Sequence, residues 1–162
     1  MANPVLEYGF KERDRERIVA LLREYERGTG VSLCFQDFDA EVAGLPGGYA
    51  PPGGNMLLAR QAGAEQLLGC VALRPVPGAP DLCEMKRLYV RPGQRRSGLG
   101  RTLALAAIAE ARRLGYQRIC LDTLPGMAAA QALYRALGFR HTGVAATEPY
   151  VLLFERELGD EP

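Results

Sequence analysis

The sequence predicts an α/β fold built on a mixed sheet, with mostly antiparallel strands early and a βαβ crossover later. Short apolar runs between turn signals follow one another over residues 55–74. A strand-like run at 83–91 passes through a glycine-rich turn into a long helical pattern, and a further strand-like run follows at 118–123. A strand–helix–strand unit of that length implies a parallel, right-handed crossover. Ile18, Leu21, Leu22 and Tyr25 recur at helical spacing in an otherwise charged segment, which places a helix before the sheet.

In chain order, residues 5–10 alternate weakly as a short first strand, and residues 14–26 form the amphipathic helix, stopped by Gly28-Thr29-Gly30. One or two helical turns are expected over 36–45. The Gly- and Pro-rich stretch 47–54 reads as an irregular surface loop. Asn55–Gln61 and Glu65–Arg74 pair as a hairpin across Ala62-Gly63-Ala64, and Pro75–Pro80 is expected to break the sheet before the strand at 83–91. A helix over 100–114 ends at Gly115 as a left-handed cap. The strand at 118–123 leads to a helix over 126–137, with Ala129, Leu133, Tyr134 and Leu137 facing inward and Gly138 as its stop. Strands at 139–143 and 150–158 close the chain, and residues 159–162 are expected to fray.

The 162 residues suit one domain, 1–162, long enough to build a core unaided. A formal net charge of +1 argues against nucleic acid or an anionic membrane as partner. No window approaches the ~20 apolar residues that span a bilayer, and the first residues carry no apolar leader, so a cytoplasmic protein is expected. Cys34, Cys70, Cys83 and Cys120 show no metal spacing, and three of them lie in strand-like runs as small buried hydrophobes. No metal is expected.

Chemistry concentrates between strand and helix, at Gln94-Arg95-Arg96-Ser97-Gly98-Leu99-Gly100-Arg101. The first turn of a helix leaves about four backbone N–H groups unpaired and carries roughly half a positive charge. Glycines there let an anion approach the amides, and arginines raise the local potential. The Walker pattern is excluded, because no Gly-Lys-Ser/Thr follows. The dinucleotide fingerprint is excluded too, because Thr102 and Leu103 stand where a third glycine is needed.

What remains is Arg95-x-x-Gly98-x-Gly100 directly after a Val-x-Pro strand end, and about 30 residues on, Ala-x-x-Leu-Tyr-x-x-x-Gly-Phe from Ala130 to Phe139. This paired signal resembles the GCN5-related N-acetyltransferases, and the resemblance extends over residues 65–158. It implies that fold: two parallel strands, here 83–91 and 118–123, splay apart to hold the pantetheine arm of acetyl-CoA.

The resemblance also implies roles. Tyr134 matches the tyrosine that protonates the departing thiolate, and a phenol with an ordinary pKa near 10 suits that task; by spacing alone it reads as a core tyrosine. Glu84, eleven residues before Arg95, matches the general base of the histone-type members; a salt-bridged strand carboxylate is the competing reading, and Lys86 two residues on would oppose a raised pKa. Strand alternation places Glu84, Lys86, Leu88 and Val90 on one side. The N–H of Leu88 matches the donor to the acetyl carbonyl, and Val90, with Tyr89 beside it, matches the pantetheine-pairing stretch. Arg95, Arg96, Ser97, Gly98, Leu99, Gly100 and Arg101 match the pyrophosphate contacts. Arg96 stands where glycine is common, which implies a tighter or strained turn. Met127 stands where many members place a cofactor-bonding asparagine, which implies that this contact is either missing or made by Thr123. Asp37, Asp39 and Tyr49 fall in the segment that borders the acceptor in this family. Glu148 and Tyr150 are candidates to close the pocket from the other side, whereas His141 reads as a surface strand residue.

The function so implied is acetyl transfer from acetyl-CoA to the primary amine of a small or amino-acid-like acceptor, by direct attack in a ternary complex. Transfer to protein or peptide amines, or acyl-CoA binding without catalysis, are the alternatives. A homodimer is a further expectation from the resemblance.

Overall fold

A computed structural model describes residues 3–159. Seven strands form one sheet in the order β1-β2-β3-β4-β5-β7-β6. They are β1 (Pro4–Tyr8), β2 (Asn55–Gln61), β3 (Leu67–Val76), β4 (Ala79–Val90), β5 (Arg118–Thr123), β6 (Arg140–Ala145) and β7 (Val151–Glu157). The helices are α1 (Arg15–Thr29), α2 (Phe38–Ala43), α3 (Leu99–Arg113) and α4 (Ala128–Ala136). All neighbouring strands are antiparallel except β4 and β5, which are parallel and joined through α3.

The central strands are apolar on both sides because both faces are covered. Leu57 and Ala59 of β2, with Val71 and Leu73 of β3, meet Leu103, Ala104, Ala107 and Ala111 of α3. Met56, Leu58, Cys70 and Ala72 point the other way, into a core closed by Ile18, Leu21 and Leu22 of α1 and Phe38 and Val42 of α2. Each fully buried Leu or Phe contributes about 1.5–3 kcal/mol, and the alanines of α3 let that helix approach the sheet closely. Gly30 and Gly115 adopt φ of +75° and +95° where α1 and α3 end.

Four expectations need correction. Residues 75–80 do not break the sheet: β3 runs on to Val76 and β4 starts at Ala79. Pro77 and Gly78, the latter at φ +80°, suit the central positions of a tight type II turn, so the Pro/Gly cluster turns a hairpin rather than ending one. Residues 47–54 are not a loose surface loop, since Gly47–Tyr49 form a 3-10 turn and Tyr49 is buried in the α1/α2-side core. In α4 the inward residue is Ala130, packed against the core, while Ala129 is exposed. The side-chain alternation of β4 also fails beyond Lys86. Cys70 pairs with Tyr89 and Ala72 with Lys86, so Arg87 and Leu88 together face Val71 in a β-bulge. Cys83 and Met85 precede the bulge on the α3 side, and after it Leu88 and Val90 take that side while Tyr89 takes the other. The fraying expected at 159–162 falls largely outside the described residues.

Gly69 is required where β3 crosses β4. A Cβ there would lie 2.6 Å from the Tyr89 carbonyl oxygen and 3.3 Å from the Val90 Cα, both backbone atoms. Gly69→Ala is expected to destabilise the protein by about 1–3 kcal/mol, as overpacking does, seen as a lower urea midpoint with an unchanged slope.

Candidate active site

β4 and β5 pair only at Leu82–Arg118, Cys83–Ile119 and Glu84–Cys120. Past these residues both strands continue, β4 to Val90 and β5 to Thr123, without pairing each other. A bulge bends the strand that carries it, and the Arg87–Leu88 bulge lies where β4 leaves β5. Arg87 holds a left-handed φ of +62°, sparsely populated for a non-glycine residue.

The gap holds a cavity of about 70 Å³. Met85, Lys86, Arg87 and Leu88 line it from β4, Asp122 and Thr123 from β5, and Leu124, Met127, Ala130 and Tyr134 from α4 and its approach. Tyr25, Leu33 and Gln36 close it from the α1 and α2 side. The Gln131 side chain donates to the carbonyls of Leu124 (3.2 Å) and Pro125 (2.9 Å), tying the approach to α4.

Tyr134 is buried, its ring edge-on to Phe139 at 5.9 Å and tilted against Phe154 at 6.3 Å. Burial, with smaller contributions from Tyr25 and Asp122, pushes its phenol above the ordinary tyrosine value, so the hydroxyl keeps its proton. Burial likewise pushes the thiols of Cys70, Cys83 and Cys120 up to about 12, well away from thiolate character.

The turn before α3 has the shape expected of an anion cradle. Gly98 caps the helix at φ +83°, and the first backbone bond at this end runs from Thr102 N–H to the Gly98 carbonyl at 3.0 Å. The amides of Leu99, Gly100 and Arg101 therefore precede the helical ladder. Arg96 takes φ +66°, which bears out the strain expected where an arginine replaces glycine. Arg95 turns back, donating from Nε to the Val90 carbonyl at 3.0 Å and stacking over Tyr89 at 5.6 Å, while Arg96 and Arg101 are exposed. The Ser97 hydroxyl donates to the Gln94 carbonyl at 2.5 Å.

The cavity thus gathers Leu88, Thr123, Met127 and Tyr134 of the residues singled out from sequence. Glu84 stands at the last paired position, its carboxylate accepting a 2.9 Å bond from Arg74, and does not line the cavity. Asp39 binds Arg23 at 2.6 Å, Asp37 precedes α2 at φ +54°, and Tyr49 is buried in the core, none of them in the lining. Glu148, Tyr150 and His141 are exposed, His141 lying against Phe154 at 5.4 Å. As cavity residues Tyr25, Leu33, Gln36 and Asp122 escaped sequence reasoning, in which Tyr25 reads only as part of the helix stripe. Asp122 left one signal, a carboxylate directly after the apolar Ile119-Cys120-Leu121 run.

A model described as the Acetyltransferase (GNAT) family matches residues 13–139. The chain belongs to the GCN5-related N-acetyltransferase family. An uncharacterized N-acetyltransferase of Schizosaccharomyces pombe is 42% identical over 138 residues, 85% of this chain and 80% of that one. One from Escherichia coli is 35% identical over 136 residues, 82% of this chain and 80% of that one. Among solved structures, PaiA N-acetyltransferase from Thermoplasma acidophilum in complex with coenzyme A superposes with a TM-score of 0.72 at 17% identity, covering 94% of this chain and 99% of that one. This acetyltransferase has no helix among the described residues long and apolar enough to cross a membrane. Nor do those residues include a cluster of three or more His, Cys, Asp or Glu suited to a metal.

In the acetyltransferase the wall towards α1 and α2 hangs on Arg87. Its Nε and one terminal nitrogen grip the two oxygens of Glu41, each at 2.9 Å, and the other donates to Gln36 at 2.8 Å. The guanidinium also lies over Phe38 at 4.8 Å. Burial pushes the Glu41 carboxyl up, but the Arg87 hydrogen bond and charge outweigh it and the net shift is downward. A lowered folded pKa contributes stability above the ordinary carboxylate range, lost as pH falls through the folded value. Glu41→Gln is therefore expected to cost about 3–5 kcal/mol at neutral pH, the scale of breaking a buried pair. The difference from wild type should shrink in acid, as measured by urea unfolding at several pH values.

Proposed function

We propose that the protein transfers acetyl from acetyl-CoA to the primary amine of a small-molecule acceptor by direct attack in a ternary complex. The observation that carries this is the gap between β4 and β5, which brings Leu88 and Tyr134 to one cavity just before the amide-rich turn at 96–101. The residues fit the cosubstrate. The amides of Arg96 to Arg101 suit a diphosphate, with the exposed guanidinium groups of Arg96 and Arg101 adding positive charge. At Leu88 to Val90 the edge of β4 turned away from β3 is not paired with β5 and suits the pantetheine amides. Thr123 and Met127 face the same cavity from the opposite side.

Acetyl-CoA, when bound, supplies the acetyl group as a thioester. The N–H of Leu88, a residue of the bulge, would hold the acetyl oxygen and favour the negative charge that develops there. The Tyr134 hydroxyl, kept protonated by burial, gives its proton to the departing sulfur. Glu84 takes the proton of the amine through water, from its place at the last paired residue. Cys70, Cys83 and Cys120, held as thiols, favour direct attack over a route through an acetylated cysteine. The small cavity, walled by Tyr25, Leu33 and Gln36, favours a compact acceptor over a peptide.

A screen of amines and peptides, followed by release of free CoA thiol, tests this. Tyr134→Phe is expected to lower kcat by roughly 10²-fold, the lower range for general acid catalysis, while acetyl-CoA affinity by calorimetry stays within a few-fold. Unchanged turnover removes Tyr134 as the acid. An absence of any binding heat with acetyl-CoA removes the proposed function itself.

A further inference from the structure

Four ionised side chains stand near the gap in two closed pairs, and two more form an open one. Arg87 is satisfied by both oxygens of Glu41 at 2.9 Å, and Arg74 by Glu84 at 2.9 Å. Lys86 is different. Its side chain is only 4% exposed, yet Nζ reaches Asp122 Oδ2 at 3.4 Å and Gln36 Oε1 at 3.2 Å, both long for a charged donor. An ammonium has three donors and no other means of satisfaction. Burial lowers the Lys86 pKa, with Asp122 only partly opposing this. Gln36 Oε1 is already shared with Arg87, so it offers Lys86 little more. Asp122 is equally loose: among the described residues its other oxygen meets only Gln36 Nε2, at 3.4 Å, and its side chain is 22% exposed.

Lys86 and Asp122 sit on the two lips of the parted strands, each two residues beyond the last pair, Glu84–Cys120. Both line the cavity that holds Leu88 and Tyr134. A pair whose task was to join the strands would be expected to close to normal ion-pair distance, near 2.8 Å. Left open, the pair offers a positive and a negative site side by side, with Gln36 bracing both from the α1–α2 segment.

We propose that Lys86 and Asp122 recognise an acceptor that carries a carboxylate beside its amine, Lys86 binding the carboxylate and Asp122 the amine end. This rests on the acetyl transfer proposed above and narrows its acceptor to the amino-acid class. A plain ammonium would enter next to the buried charge of Lys86 and be repelled, whereas an amino acid brings a carboxylate to complete that lysine's donors. Lys86 and Asp122 are thereby specificity residues rather than members of the proton path.

The test pairs each of a panel of amino acids with the amine that lacks its carboxylate and follows CoA thiol release with saturating acetyl-CoA. Wild type is expected to favour the amino acid in kcat/KM by at least about tenfold, the scale of one hydrogen bond to a charged group. Lys86→Met should collapse that ratio towards one, mainly by raising KM for the amino acid, and Lys86→Arg should restore part of it. Acetyl-CoA affinity, measured by calorimetry on each variant, reports separately on folding and on the cosubstrate site. Acetyl-CoA binding without a carboxylate preference, without turnover of any amino acid, or with a preference that survives Lys86→Met overturns the inference and leaves acetyl-CoA binding standing. Absence of acetyl-CoA binding by wild type overturns both.

Discussion

The molecule is organised by the parting of two parallel strands that begin as neighbours. Between Leu82 and Glu84 the ladder with β5 is intact, and beyond it neither strand finds the other. Unpaired backbone groups inside a protein are costly, on the order of a lost hydrogen bond each. A parted pair is therefore a feature that needs a partner, and an extended ligand with amides of its own is the natural one. The bulge at Arg87 and Leu88 accompanies the parting on the β4 side, and α4, packed through Tyr134 and Ala130, faces the gap from the β5 side.

The bulge also reverses the side-chain phase of β4, so that Lys86 and Arg87 both turn towards α1 and α2. Arg87 spends its charge on Glu41 and Gln36 and so fixes the segment that walls the cavity. Lys86 spends little of its own. Neighbouring cations in one strand thus fall to opposite uses, one welded into the core and one left to the cavity, and the difference is the number and distance of their acceptors.

Much of the architecture was legible because it rests on local chemistry. The α1 stripe of Ile18, Leu21 and Leu22, the Gly115 stop of α3 and the strand at 118–123 follow from periodicity and from glycine's freedom at positive φ. The turn at 95–101 into α3 was legible for the same reason, since a glycine such as Gly98 at φ +83° marks a strand-to-helix turn. Pro77-Gly78 misled because proline and glycine mark a turn without saying whether strands flank it closely. Tyr49 misled because a Gly/Pro-rich stretch gives no sign that one aromatic within it will be drawn into the core.

The sequence by itself determined the order of strands and helices, the family and the turn that leads into α3, because each depends on neighbours in the chain. Tertiary structure alone decided which charges share the cavity. Gln36, Lys86 and Asp122 are separated by long stretches of sequence and meet only through sheet pairing and the packing of α1 and α2. It also decided that Glu84 is held by Arg74 across β3 and β4, because cross-strand register, which shifts between Pro75 and Val76, has no signature in local spacing.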